Sequence, residues 1–176
     1  MENNFCRRCG TKLKQITENY FECQNNHKIH DNPRPTVGIF ILDEDKVILS
    51  VRGLDPGKGS LDSFGGFLDL HESFEDAVAR ELLEETQLNP DDYETPRYFC
   101  SAPSIYEYQG EDVPIASNFY ITKLKPGKTI IPSDDVASIK ILKIKDVDTN
   151  DIYNLDVKTA VKLLKKTNWS YNKNNE

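Results

Sequence analysis

The stretch from Gly66 to Leu88 reads as a helical segment whose apolar stripe is interrupted by carboxylates, and no other feature restricts the fold as much. At 3.6 residues per turn, Phe74, Val78, Glu81, Glu85 and Leu88 fall along one stripe, so two glutamates stand where the rest of the stripe is apolar. A lone carboxylate on a packed face costs on the order of several kcal/mol or is driven to take up a proton, whereas a bound divalent cation makes the same cluster favourable. The fold must therefore bury this face and still bring its acids to a cation. Glu81 and Glu85 are related by i,i+4 and Glu81 and Glu84 by i,i+3, which confines the three carboxylates to about 100° of arc. Hard oxygen donors in that arrangement suit Mg²⁺ or Mn²⁺, which keep several waters and bridge to phosphates. Arg80, beside Glu81, is placed to orient a carboxylate or to meet a phosphate. A merely solvated acidic face would not alternate with Phe74, Val78 and Leu88 along one stripe.

With 176 residues, 38% of them apolar, the chain is long enough for one buried α/β core and a small appended module, and too short for a second full domain. No stretch approaches the roughly 20 consecutive apolar residues of a membrane span, and Met1-Glu2-Asn3-Asn4 lacks the apolar run of a signal peptide. The expectation is a soluble, cytoplasmic protein. A net charge of −7 argues against a general nucleic-acid binder.

The charge is uneven. Residues 1–35 carry six Lys/Arg against four Asp/Glu, leaving 16 against 25 for the remainder. The same basic piece holds three of the four cysteines, as Cys6-Arg-Arg-Cys9-Gly10 and, after thirteen further residues from Cys9, Cys23 followed by His27 and His30. Paired knuckles at this spacing read as a zinc ribbon, in which tetrahedral thiolate and imidazole ligands hold together a segment too short for its own core. His27, in the same knuckle as Cys23, is the most economical fourth ligand, with His30 second. The alternatives are reduced thiols, or a ribbon that no longer binds metal. A disulfide framework is not expected without a secretory signal, and Cys100 reads as a small apolar core residue.

The acidic segment resembles the Nudix box, Gly-x5-Glu-x7-Arg-Glu-U-x-Glu-Glu-x-Gly-U, where U is a bulky aliphatic residue. Gly66, Glu72, Arg80, Glu81, Leu82, Glu84, Glu85 and Leu88 fall in register. Gln87 stands where the pattern has its second glycine, the residue that ends the helix in left-handed geometry at a cost of roughly 1 kcal/mol to other residues. The resemblance implies an α/β/α sandwich with a mixed sheet at 34–168, preceded by the ribbon at 1–33 as in the NADH pyrophosphatase group; the tail at 169–176 has a polar composition with little to bury and is expected to be disordered. In that group a second Cys-x2-Cys is expected where Asn26 stands here. It further implies a cation held by Glu81, Glu84, Glu85 and the Gly66 carbonyl, polarising a phosphoryl oxygen and activating a water for in-line attack. Glu72 then supports the loop and helix start, and His71 is exposed.

The activity so implied is hydrolysis of a nucleoside diphosphate linked to another moiety, such as ADP-ribose or NADH, to a nucleoside monophosphate and a second phosphate product. The general base must come from outside the helix, from Glu107, Glu111, Asp112, Asp134 or Asp135; Asp135 is the first choice, since similar pyrophosphatases place an acid at that offset before a strand. The competing reading makes it a turn aspartate in Pro132-Ser-Asp-Asp. Arg34 and Arg52 are placed to reach the diphosphate, or to pair with surface acids. Ser101-Ala-Pro103 keeps a remnant of the NADH pyrophosphatase signature, and Pro103, sixteen residues beyond Gln87, is similar to the marker of ADP-ribose pyrophosphatases. Tyr106 and Tyr108 are candidates to stack on an adenine, or strand-end packing residues. A catalytically silent nucleotide sensor and a cap or isoprenoid diphosphate enzyme are the alternatives, and homodimerisation is common in similar proteins.

For the rest, Asn32-Pro33-Arg34-Pro35 reads as an extended linker. Thr36–Leu42 and Lys46–Arg52 form a hairpin of buried strands, and residues 53–63 a mobile glycine-rich loop. Tyr98–Ser101, Asn118–Leu124 and Val136–Ile144 are further strands, and an amphipathic helix starts at Asp156.

Overall fold

The computed structural model describes residues 4–108 and 110–167, so the tail expected at 169–176 lies outside the described residues. Near the N-terminus, β1 (Leu13–Thr17), β2 (Tyr20–Cys23) and β3 (Lys28–His30) form a three-stranded antiparallel sheet. The main sheet contains β4 (Arg34–Asp43), β5 (Lys46–Arg52), β6 (Leu61–Asp62), β7 (Arg97–Tyr108), β8 (Glu111–Lys123) and β9 (Val136–Lys143), in the order β6-β5-β4-β8-β7 with β9 paired to β5. The β4–β8 pair is parallel and the others antiparallel, which makes the sheet mixed.

Two helices, α1 (Phe74–Thr86) and α2 (Leu155–Lys166), complete the fold, and the alternation of β4 explains why there are two layers. Val37, Ile39 and Ile41 pack with Ala77, Val78 and Leu82 of α1, while Phe40 and Leu42 pack with Val157, Ala160, Val161 and Leu164 of α2. With a side-chain period of two, a strand apolar at every position must be covered on both faces. The result is the expected α/β/α sandwich. Cys100 sits against the α2-side core, as expected, and burial pushes its thiol up to about 11.

Several boundaries differ from the sequence reading. The helix does not begin at Gly66. Ser73 caps it, its hydroxyl accepting the Asp76 N–H at 3.1 Å, and residues 66–72 form an irregular approach. Gln87 does close it in left-handed geometry, φ 57° and ψ 21°, leaving Leu88 outside the helix yet buried in the α1-side core. Arg34 and Pro35 are not linker; they open β4, opposite Ile115 and Ala116. The glycine-rich loop is a bonded turn, in which the Gly59 N–H donates to the Arg52 carbonyl at 2.8 Å and Arg52 Nε donates to the Pro56 carbonyl at 2.9 Å. The largest difference is the β7–β8 hairpin, which extends well past the segments 98–101 and 118–124. Its outer strand alternates weakly because most of its side chains are exposed, so hydropathy carries little signal there.

Candidate active site and metal centre

Glu81 and Glu85 are buried on the packed face of α1, 7% and 5% exposed. They reach the diglycine that follows β6. The Gly65 N–H donates to Glu85 Oε2 at 2.8 Å, and a Cβ at Gly66 would lie only 2.7 Å from Glu81 Oε1, so the chain can approach Glu81 this closely only as glycine. Gly65, at φ +129°, has the carbonyl of Val37 2.2 Å from where a Cβ would be. The Gly66 carbonyl accepts the Val37 N–H at 2.9 Å, which leaves its second lone pair.

Arg80 gathers the remaining acids. Its Nε and Nη2 donate to the two oxygens of Glu72 at 2.8 and 3.0 Å, Nη1 donates to Glu81 at 2.8 Å and to exposed Glu84 at 3.0 Å, and Nη2 also reaches the Phe67 carbonyl. These bonds hold Glu72 below the usual carboxylate range and raise Arg80. Glu72 also accepts the Asp69 N–H at 2.9 Å, which ties the approach loop to the helix. His71 is exposed, with φ at 69°.

Glu85 receives no such help. Burial pushes it up to about 10, the Gly65 N–H opposes this, and the negative charges of Asp135 and Glu81 add to it. Burial likewise raises Glu81, with Arg80 opposing. Two buried carboxylates, one without a cationic partner among the described residues, fit a divalent cation by the chemistry of their donors.

Asp135 is brought beside Glu85, although 50 residues separate them in sequence. The segment before it is fastened to the C-terminal end of α1: the Ile131 N–H donates to the Thr86 carbonyl, the Ser133 N–H to the Glu85 carbonyl at 3.0 Å, and the Ser133 hydroxyl to the Glu84 carbonyl. The Asp135 carbonyl accepts the Gly53 N–H at 2.7 Å. Asp134 takes the turn conformation, φ 53°, which turns the chain into β9 at Val136.

From Gly65, Gly66 and Asp135 a cleft of about 200 Å³ runs to Asn154, Asp156 and Val157 at the start of α2, walled by Phe67, Tyr106 and Tyr108. Arg52 stands in its wall. Nη1 pairs with buried Asp62 at 2.7 Å and Nη2 donates to the Tyr106 hydroxyl at 3.1 Å. Burial pushes Asp62 up to about 6 while Arg52 pulls it back, and Asp62 in turn raises Arg52, so the pair is ionic at neutral pH. Arg52 thus braces Tyr106, and its guanidinium is already engaged. Arg34, at the exposed start of β4, and Pro103, exposed on β7, are not among the cleft residues. Glu107, Glu111 and Asp112, the other candidate bases, are exposed on the β7–β8 hairpin. A broader groove of about 860 Å³ borders α1 at Glu75, Val78 and Ala79 and contains none of the clustered acids.

Sequence reasoning missed Asp62, Asn154 and Asp156. Asn154 and Asp156 carry the pattern of an ordinary helix start, so nothing local marked them.

Near the N-terminus, ligand atoms of Cys6, Cys9, Cys23 and His27 all lie within 4.8 Å of one another. Cys9 Sγ and Cys23 Sγ are 3.8 Å apart, and Cys6 Sγ and His27 Nδ1 3.5 Å. Tetrahedral zinc with ordinary bond lengths needs about 3.8 Å between sulfurs and about 3.5 Å from sulfur to nitrogen, so the residues fit that ion. Left-handed Gly10, φ +71°, and Asn26, φ 57°, close the two knuckles. Bonds from Thr11 hold the Cys9 thiol down at about 5. His30 lies outside the cluster; its ring stacks on Tyr20 at 5.0 Å.

A family model described as the NUDIX domain matches residues 32–162. Over 105 residues the chain is 29% identical to the NAD-capped RNA hydrolase NudC of Pasteurella multocida, an alignment covering 57% of this chain and 38% of the relative. The chain thus spans less than half the length of the curated relatives it matches. A NUDIX hydrolase from Nitrosomonas europaea shares the fold with a TM-score of 0.65 at 21% identity, over 94% of this chain and 90% of that one. The NUDIX domain of Shewanella oneidensis NrtR, solved in complex with ADP ribose, does so with a TM-score of 0.58 at 21% identity, over 77% and 88% of the two chains. With Gly66 of the box lining the cleft beside Asp135, and the family model matching residues 32–162, which take in the main sheet, α1 and most of α2, the chain belongs to the NUDIX domain family.

Proposed function

We propose that this protein is a divalent-cation-dependent diphosphohydrolase, cutting a nucleoside diphosphate linked to another moiety, with ADP-ribose or an NADH-like dinucleotide as its first substrates. The observation that carries this reading is Glu85, buried beside Glu81 and Asp135 with no cationic partner among the described residues and bonded to Gly65, which lines the cleft. Glu81, Glu84, Glu85 and the Gly66 carbonyl would hold Mg²⁺ or Mn²⁺. A bound cation supplies charge neutralisation and Lewis acidity at the diphosphate. Asp135 takes the proton of the attacking water as its oxygen bonds to phosphorus and the bridging P–O bond breaks, giving a monophosphate and a second phosphate product. Arg80 positions Glu81 and Glu84 and leaves Glu85 to the cation.

Residues 1–33 form a zinc-ribbon module with Cys6, Cys9, Cys23 and His27 as ligands, and residues 34–168 the hydrolase domain. Thiolate ligands of this kind need a reducing compartment, which supports a cytoplasmic setting. Among the described residues no helix is long and apolar enough to cross a membrane.

A second reading is favoured by the relatives named NAD-capped RNA hydrolases. A net charge of −7 opposes nucleic acid, yet residues 1–35 are basic on balance, and a dinucleotide cap contains the same diphosphate. A hydrolysis panel with Mg²⁺ or Mn²⁺ across ADP-ribose, NADH, NAD, FAD, dinucleoside polyphosphates, NAD-capped RNA and nucleoside triphosphates separates these readings. Dinucleotide-type diphosphates should be cut faster than triphosphates. A triphosphate as best substrate by a wide margin would overturn the substrate assignment, and no turnover of any would favour a sensor. Light scattering of the same preparation reads whether the protein is a dimer.

A further inference from the structure

Among the described residues, one buried side-chain oxygen has no hydrogen-bond partner, the Oδ1 of Asp156. Buried acceptors are nearly always satisfied, so an orphan calls for a physical account. Asp156 is 6% exposed, stands in the first turn of α2, and lines the cleft that begins at Gly65 and Gly66. Its other oxygen is taken: Oδ2 accepts from the Ser117 hydroxyl, and Ser117 accepts from Thr36 at 2.7 Å. Two of the donors in the cleft wall are directed elsewhere. Arg52 serves Asp62, Tyr106 and the Pro56 carbonyl, and the Asn154 amide donates to Asp62 at 2.8 Å. No group among the described residues donates to Oδ1, which leaves it open to a donor carried by a ligand.

The walls indicate what carries that donor. Phe67 meets Tyr106 edge-on, with centroids 6.0 Å apart, and Tyr108 likewise at 6.2 Å. Three rings braced by one another and by Arg52 favour a planar heterocycle over a flexible, hydroxyl-rich sugar. With the diphosphate held by the α1 acids at one end, the base of the same nucleotide is the planar group within the cleft.

We propose that Asp156 Oδ1 accepts a hydrogen bond from the exocyclic amino group of a nucleobase seated against these rings, so that the cleft selects bases bearing that group. The inference rests on reading the α1 acids as the diphosphate site. Oδ1 is the oxygen without a partner, so the amine is read at that one atom.

Deleting the amine from the ligand tests this on the intact protein. Calorimetric affinities in Mg²⁺ are compared for AMP against purine riboside 5′-monophosphate, and for GMP against IMP, pairs that differ only in the amino group. One pair should show a loss of about ten- to a hundredfold, and which pair does so identifies the base. In Asp156→Asn the single amide oxygen is claimed by Ser117 and the amide NH₂ faces the cleft, so the preference should shrink to about twofold or less. Equal affinities in both pairs, no binding by any of the four, or a preference that survives Asp156→Asn would overturn the proposal and leave Oδ1 to an ordered water. The ligand-side comparison stands even where the variant does not fold. Turnover across the substrate panel, measured alongside, separates the two readings: hydrolysis without an amine preference removes this assignment alone, and an amine preference without hydrolysis of any diphosphate removes the diphosphohydrolase reading alone.

Discussion

The Cys6–His30 segment and the acid-bearing face of α1 both present metal-type side chains, yet they are built in opposite ways. In the first, the buried core is Cys6, Cys23 and Ile29, with Leu13 and Phe21 packed against them, so two of its three buried side chains are themselves candidate ligands. In the second, Glu81 and Glu85 are set onto a core that is complete without them, with Ile39, Ile41, Phe64, Val78, Leu82 and Leu88 already in contact. A cation in the first site contributes to folding. One in the second would displace the proton that burial holds on Glu85, at acids the fold already keeps in place, so it is not needed for folding.

The largest effect expected from this contrast is on the N-terminal segment. Purified protein should hold about one zinc per chain, and Cys9→Ser should release it, since structural zinc in such modules is worth on the order of 10 kcal/mol. Hydrogen exchange should then show β1–β3 losing protection while β4–β9 keep theirs. Elemental analysis finding no zinc in protein never exposed to chelator would break the comparison at its first term.

Next in size is catalysis. Glu85→Gln keeps shape and removes charge, so kcat should fall by about two orders of magnitude or more with an unchanged circular dichroism spectrum. Activity equal to wild type at saturating Mg²⁺ would remove Glu85 from the chemistry. Gly66→Ala should cost less, about tenfold, because its Cβ would stand 2.7 Å from Glu81 Oε1 and push that carboxylate aside. A kcat within twofold of wild type would mean that Glu81 tolerates the displacement.

Smaller still is the stability effect, and its sign distinguishes the two sites. Glu85 is pushed from 4.5 to about 10 by burial, so between these values the folded chain holds a proton the unfolded chain has released. Its contribution to stability is therefore greatest below about pH 4.5 and declines as pH rises toward 10. Without divalent cation, Glu85→Gln should melt about 2–4 °C above wild type at pH 8, with the gap closing near pH 4. A lower melting temperature for the variant at pH 8 would show that the charge is already compensated. Glu75→Gln, on the exposed side of the same helix, should change neither kcat nor melting temperature beyond about 0.5 kcal/mol; a larger effect in calorimetry would mean that any lost charge on α1 matters.

Much of this contrast was legible beforehand because it is local. The i,i+3 and i,i+4 spacing of Glu81, Glu84 and Glu85 is a property of any helix, and the buried hairpin of β4 and β5 follows from two apolar runs around Asp43-Glu44-Asp45. Gln87 closes the helix although it is not glycine, a position where the box register outweighed residue preference. The long β7–β8 hairpin was only half visible, since an exposed strand shows little alternation.

What the sequence by itself determined is the chemistry at each local address: acids on one helical stripe, thiols and an imidazole at ribbon spacing, and strands apolar on both faces. What only the tertiary structure decided is which addresses meet. The parallel pairing of β4 with β8 brings Thr36 to Ser117 and, through it, to Asp156, and the segment before β9, fastened to the C-terminal end of α1, sets Asp135 beside Glu85. Arg52, open to several partners in the sequence, is committed to Asp62 and Tyr106, the latter 54 residues away. Such pairings depend on loop closure and sheet order, which no short window of sequence encodes. The local pattern therefore revealed the acids, and only the fold revealed the cleft they serve.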